Sequence, residues 1–147
     1  PHFSISIGLK SKNEIIAGVI FDPIKNELFF GEKDNGSYIN NHRIRVSKKN
    51  NLDECLFASN NAGIKSENLS TRNLGSAALD LAYVGAGRFD GYFQNDLHIW
   101  DIAAGIIIVK EAGGVLNDIN LSEVENLKIR ASSNTIYEKM LKKLNNF

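Results

Sequence analysis

The first third of the chain shows the two-residue alternation of apolar and polar side chains that is typical of half-buried β-strands. Phe3, Ile5, Ile7 and Leu9 alternate with small or polar residues. Turns rich in Asn, Asp, Pro and Gly separate this segment from the next apolar ones, because these residues favour tight reversals. The segments predicted to be strands are 3–9, 15–21, 27–32, 37–39 and 43–47. We therefore predict an antiparallel meander over residues 1–49.

Residues 50–147 are expected to form a second, α/β subdomain. Short apolar runs predict strands at 55–59, 91–94, 115–119 and 128–132, and helices at 76–86, 101–111 and from Thr135 onwards. The helix 101–111 is apolar on every side, as a helix buried between layers should be. Thr135 and Glu138 have the spacing of a capping box for the last helix, and residues 60–73 are predicted to be an irregular connection. The fold class is therefore mixed α/β (α+β), with an antiparallel sheet followed by a smaller α/β half.

Composition narrows the function classes. The 147 residues include 17 Lys and Arg and 17 Asp and Glu, and 43% are hydrophobic, which is enough to bury a core. With a net charge of zero, the chain lacks the cationic excess that nucleic acids attract, so direct nucleic-acid binding is not expected. Cys55 is the single cysteine, so no internal disulfide can form, which is typical of a reducing compartment. No apolar run approaches the roughly 20 residues of a membrane-spanning helix, and no export signal is recognisable. We expect a cytoplasmic protein without a membrane anchor.

Two positions could carry chemistry, and each has two interpretations. Asp101 lies where a polar stretch meets the apolar helix. It is either a helix cap, favoured by the helix dipole, or an oxygen ligand for a hard cation such as Mg²⁺ beside a phosphate site. The Gly75-Ser76-Ala77 step opens the preceding helix. It is either a serine cap after a flexible glycine, or a set of backbone N–H groups that hold an anion or a hydroxyl-rich ligand.

Two segments together resemble the inositol monophosphatase family, and in particular its bacterial members called extragenic suppressor proteins. They are Gly75-Ser76-Ala77-Ala78-Leu79-Asp80-Leu81-Ala82-Tyr83 with Gly87-Arg88-Phe89-Asp90-Gly91-Tyr92, and Trp100-Asp101-Ile102-Ala103-Ala104-Gly105 with Glu111-Ala112-Gly113-Gly114. The second is similar to a specific signature of that family. Residues 3–9, 18–23 and 36–47 also resemble the family's β meander. The resemblance covers almost the whole chain but only the later part of the family's length.

The resemblance implies a fold and a reaction. The fold is the later part of a layered αβαβα sugar-phosphatase architecture. The reaction is Mg²⁺-dependent hydrolysis of inositol 1-phosphate or a related polyol or sugar phosphate, in which metal ions polarise the phosphate and lower the pKa of the attacking water. The family implies that Asp101 is the catalytic metal ligand and that Gly75, Ser76 and Ala77 line the alcohol side. Gln94 stands where animal members carry a glutamate that binds the inositol ring.

The same resemblance implies that part of the site is missing from these residues. The family's other metal ligands come from a Glu and an Asp-Pro-x-Asp-Gly-Thr loop, which precede the segment that begins here at Pro1. Asp22-Pro23 does not replace them, because the second Asp and the Gly-Thr pair are absent. We therefore expect weak Mg²⁺ binding and little or no activity from this chain alone, and an N-terminal segment that complements it.

The resemblance also leads to two expectations about partners. Without the family's earlier helices, the apolar face of segments 3–9 and 15–21 would be open to water, so we expect a homodimer or a higher oligomer. The alternative function is a different class: a non-catalytic, protein-binding remnant related to the extragenic suppressor proteins, which are associated with transcription and RNA-processing machinery.

Overall fold

The computed structural model describes residues 1–60, 64 and 68–144. The strands, in chain order, are β1 (Ile5–Ser11), β2 (Glu14–Asp22), β3 (Glu27–Glu32), β4 (Gly36–Ile39), β5 (His42–Arg43), β6 (Leu56–Ala58), β7 (Ser70–Arg72), β8 (Gly91–Leu97), β9 (Gly114–Leu116) and β10 (Leu127–Ser133). The helices are α1 (Ala77–Gly85), α2 (Ile99–Glu111) and α3 (Tyr137–Lys143), with a short 3₁₀ turn at Leu52–Glu54.

The first sheet is an antiparallel meander with the strand order β1-β2-β3-β4-β5. A row of glycines crosses it, because Gly8 pairs with Gly18 and Gly18 pairs with Gly31. Helix α2 lies directly on this row. A Cβ atom built on Gly18 would be 2.7 Å from the Cα of Ala104, and one built on Gly31 would be 2.9 Å from the Cα of Ile108. The glycines therefore let the helix backbone approach the sheet more closely than any side chain would allow.

The second sheet has the order β7-β6-β8-β10-β9, with β6 parallel to both of its neighbours. Helices α1 and α2 pack against each other between the two sheets, and α3 packs on the other side of β10. The layers are therefore sheet, helix pair, sheet and helix. This arrangement confirms the predicted mixed fold, an antiparallel sheet followed by an α/β half. The division of the chain at residue 49 stays a prediction.

The first sheet has a second face, opposite α2, that is apolar and largely open. Ile20 and Phe29, on the α2 side, are fully buried, whereas the side chains of the other face are exposed or half-buried. The apolar members of that face, which we call the open face, are Ile5, Ile7, Leu9, Ala17, Val19, Phe21, Leu28, Phe30 and Tyr38, and the charged Glu32 and Arg43 lie on the same side. Its most exposed member, Ile7, retains 63% of its accessible surface. A sheet with apolar side chains on both faces is typical of an inner layer.

Three sequence predictions need correction. Thr135 does not cap the last helix, because its hydroxyl donates to the Lys49 carbonyl at 2.6 Å and α3 begins only at Tyr137. The connection 60–73 contains strand β7, which pairs with β6; positions 61–63 and 65–67 of that connection lie outside the described residues. The predicted strand 43–47 is shorter, with β5 confined to His42–Arg43.

Within the described ranges, none of the helices combines the length and the hydropathy that crossing a membrane requires.

Candidate functional site

The N-terminal ends of α1 and α2 meet at one cleft of about 420 Å³. The residues that line it are His2, Phe3, Ser4, Ser6, Gly75, Ser76, Ala77, Ala78, Trp100 and Asp101. The structure therefore brings together the two motifs that the sequence presents separately. The cleft combines a carboxylate with two helix N-termini, whose partial positive charge favours anionic ligands.

Asp101 is the third residue of α2, and His98 occupies the N-cap position. The Oδ2 atom of Asp101 accepts a hydrogen bond from the backbone N–H of His98 at 3.0 Å. This is the carboxylate half of a capping box, so Asp101 stabilises the helix start from inside the first turn. Its side chain is still 36% exposed, and the carboxylate remains accessible from the cleft. The capping interpretation and the ligand interpretation are therefore compatible in space.

Ser76 caps α1, and its hydroxyl accepts a hydrogen bond from the Leu79 N–H at 3.3 Å. Gly75, just before it, has a φ of +86°, a left-handed conformation that favours glycine. Ala77 and Ala78 are the first two residues of the helix, and their N–H groups precede the first intrahelical bonds. These backbone donors at the cleft wall are suited to hydroxyl or phosphate oxygens.

Gln94 is not among the residues that line this cleft. It lies half-buried in β8, and its Oε1 atom accepts a hydrogen bond from the Tyr92 hydroxyl at 2.7 Å. The structure thus brings Asp101 and the 75–77 segment together, but it does not place Gln94 beside them.

Sequence reasoning missed a second acidic side chain near this end of α1. Asp80 is buried, with 3% exposure, and burial raises the pKa of its carboxyl to about 7. Burial, and next the negative charge of Asp80, also raise the pKa of the Tyr92 hydroxyl. The sequence shows a single aspartate within an otherwise apolar helix, and such a residue is ordinarily assigned to the solvent-exposed side of the helix.

The carboxylates of the described residues do not complete a magnesium site. In the part of the chain that the structure describes, no three His, Cys, Asp or Glu side chains are grouped closely enough to hold a metal ion. Mg²⁺ requires near-octahedral oxygen coordination, with ligands from carboxylates, water and substrate phosphate. Asp101 could supply one such oxygen ligand, and the others would have to come from elsewhere.

Comparison with known proteins gives consistent results. The model of the inositol monophosphatase family matches residues 1–146. An inositol-1-monophosphatase of Rhizobium meliloti is 38% identical over 133 aligned positions, which cover 80% of this chain and 50% of that protein. The Nus factor SuhB of Pasteurella multocida is 43% identical over 136 positions, which cover 82% of this chain and 51% of that protein.

Solved structures agree with the sequence comparisons. The crystal structure of the extragenic suppressor protein suhB from Bartonella henselae superposes with a TM-score of 0.83 and 37% sequence identity, covering 95% of this chain and 63% of that one. The chain therefore spans about half the length of the curated relatives above, and less than two thirds of this structural neighbour.

Proposed function

Because the chain belongs to the inositol monophosphatase family, we propose that it forms the later part of a Mg²⁺-dependent phosphomonoesterase. The substrate class is inositol 1-phosphate or a related polyol or sugar phosphate, and the location is the cytoplasm. The observation that carries the proposal is the shared cleft, in which the Asp101 carboxylate faces the same space as the start of α1. The name of the Rhizobium meliloti relative supports the choice of substrate.

In this proposal each residue of the cleft has a separate role. Asp101 contributes one oxygen ligand, and the backbone groups of Gly75, Ser76 and Ala77 line the alcohol side of the substrate. The Gln94 amide binds the alcohol end of the substrate, which requires that the complete site extends to β8. The two helix N-termini favour the negative charge of the phosphate. When bound, Mg²⁺ supplies charge neutralisation and an activated water. Its remaining ligands come from polypeptide outside these residues.

The function is tested with two preparations: the 147-residue chain alone, and the same chain joined to the part of the Rhizobium meliloti relative that it does not match. Release of phosphate from inositol 1-phosphate is followed with and without Mg²⁺. We expect Mg²⁺-dependent turnover only from the joined protein. A joined protein that folds, binds Mg²⁺ and hydrolyses none of a panel of polyol and sugar phosphates would contradict the proposal.

The chain alone is expected to bind Mg²⁺ only weakly, because one carboxylate offers a small part of the coordination that the ion requires. Isothermal titration at neutral pH should show no binding in the micromolar range. The Asp101→Asn variant serves as the control and should be indistinguishable from the unsubstituted chain in this titration. A micromolar dissociation constant that disappears in the variant would show that the described residues already form a site.

A second candidate function, protein binding without catalysis, is favoured by a specific observation, the open face. Several relatives are named Nus factor SuhB, including those of Pasteurella multocida and Haemophilus influenzae. In this proposal the apolar surface, rather than the cleft, is the functional feature. Turnover by the joined protein distinguishes the two candidates, since a binding remnant has no need of Asp101.

We also propose that the chain self-associates through the open face. Apolar patches above a few hundred Å² are uncommon on soluble monomers, and covering apolar surface contributes about 25 cal/mol per Å². The apolar members of the face carry no charge, the two charged side chains on the same face, Glu32 and Arg43, have opposite signs, and the chain has no net charge, so two copies are not held apart by net repulsion. Two such faces can stack in the manner of a β-sandwich. A second copy is therefore the occupant that we propose.

Sedimentation equilibrium at micromolar concentrations is expected to show species heavier than the 16.3 kDa monomer. Val19→Lys places a charge at the centre of the open face and should shift the distribution to the monomer. Val124→Lys is the matched control, because Val124 is also exposed, at 52%, but lies outside the open face. A monomer at high micromolar concentration, or equal effects of the two substitutions, would refute self-association through this surface.

A further inference from the structure

Strand β8 contains a bulge just before the candidate site. Ile129 of β10 pairs with Gln94, and Leu127 pairs with Leu97, so β8 has one residue more than its partner across this interval. Asp96, within the interval, has a φ of +56°. An extra residue bends its strand and redirects the chain beyond it. Here the redirected chain leads into His98 and the start of α2.

The side chain of Arg130 holds this bulge from β10. Arg130 is fully buried. Its Nη1 donates to the Gln94 carbonyl at 3.0 Å, and its Nη2 donates to the Asn95 side-chain oxygen at 2.8 Å. The planar guanidinium fixes the angle between its two donors, so both acceptors are held at once. The Arg130 backbone is itself anchored, because its N–H donates to the Asn117 side-chain oxygen at 2.6 Å.

A short path links the bulge to the cleft. Asn95 is three residues before His98, whose N–H is the donor to the Asp101 carboxylate. The His98 ring also stacks on Trp100, with 4.5 Å between the ring centroids and 11° between the planes. His98 is therefore bonded to Asp101 and stacked on Trp100, and the chain enters this group from the bulge.

We propose that Arg130 is a positioning residue, whose guanidinium fixes the β8 bulge through its two donors and thereby the orientation of Asp101 in the cleft. The role of Asp101 toward a ligand rests on the proposed function. The effect of Arg130 on the position of Asp101 does not depend on that function. Nothing in the proposal requires Arg130 to touch a ligand, since it acts through Gln94 and Asn95.

The test uses the ¹⁵N-labelled 147-residue chain and the backbone amide resonances of residues 98–101, together with the indole resonance of Trp100, the one tryptophan of the chain. Arg130→Met removes the donors while keeping the volume, and Asn95→Ala removes one acceptor. Both are expected to shift these resonances. Asn95→Asp keeps an acceptor for the guanidinium and should restore the wild-type pattern at residues 98–101. Arg130→Lys should restore it only in part, because an ammonium does not reproduce the fork.

Met140→Ala is the matched control for general loss of stability. Met140 is fully buried in the cluster around α3 and is not part of the β8–β10 pairing that contains the bulge, so its truncation leaves a cavity that destabilises the fold. It is expected to leave the resonances of residues 98–101 in place. The proposal is overturned if Arg130→Met and Asn95→Ala leave them unshifted, or if Met140→Ala shifts them as much. Because the readout is spectroscopic and uses this chain alone, its outcome is independent of whether the joined protein hydrolyses a phosphate ester.

Discussion

Replacement of Gly18 by alanine is expected to lower the free energy of unfolding by about 3 kcal/mol, at the upper end of the range for overpacked cores. The added Cβ would lie 2.7 Å from both the Cα and the carbonyl oxygen of Ala104, and 2.8 Å from the Cγ2 of Ile107. Two of these three atoms are helix backbone, so no change of rotamer can relieve the contact. The helix would have to move off the sheet, and the buried contacts of α2 would be lost with it.

The control for this prediction is Ala17→Val in the same strand. Ala17 faces the open side of the sheet, where added methyl groups meet no helix, and β-branched residues suit strands. Chemical denaturation of both variants measures the difference, with the slope checked for two-state behaviour. If Gly18→Ala loses less than about 1 kcal/mol, α2 does not pack as tightly on the glycine row as the structure has it.

The meander was the most predictable part of the fold, for a local reason. In β2 and β3 the alternation of side chains and the Asp22-Pro23 turn are encoded in neighbouring residues, and the observed strands, Glu14–Asp22 and Glu27–Glu32, agree closely with them. Strand β7 was missed because its residues are polar and show no alternation of apolar and polar side chains. It forms because the preceding strand, β6, offers an edge in the parallel register, and this pairing cannot be inferred from the residues of β7 themselves.

The candidate site was predictable only as separate motifs. Asp101 and the 75–77 segment each mark a helix start, which a local pattern reveals, but their common cleft depends on how α1 and α2 pack. Helix α2 begins at Ile99, two residues earlier than the sequence predicts, because Asp101 caps from the third position through His98. No pattern in the sequence indicated that Arg130 is buried or that it contacts β8. Its partners lie 35 and 36 residues away in sequence, and an arginine in a strand is ordinarily read as solvent-exposed.

The Asp101→Asn variant of the joined protein is expected to lose at least about 100-fold in kcat/KM for inositol 1-phosphate, since even residues that only support a metal ligand cost 10–100-fold when removed. Asparagine has the same size and keeps an oxygen that can accept the His98 N–H bond. It removes the negative charge that a Mg²⁺ ligand supplies. The substitution therefore separates the two roles of Asp101, because only one of them depends on the charge.

If Asp101 were a helix cap alone, the variant would lose less than about 1 kcal/mol of stability and its turnover would be unchanged. Asn51→Ala provides the reverse pattern as a control: it removes the side-chain cap of the 3₁₀ turn Leu52–Glu54, at a cost of about 1 kcal/mol, and lies outside the cleft. Steady-state kinetics over a range of Mg²⁺ concentrations, paired with denaturation of each variant, gives both quantities. A hundredfold loss in Asp101→Asn at near-normal stability assigns the carboxylate to the reaction, whereas equal turnover in both variants assigns it to the helix.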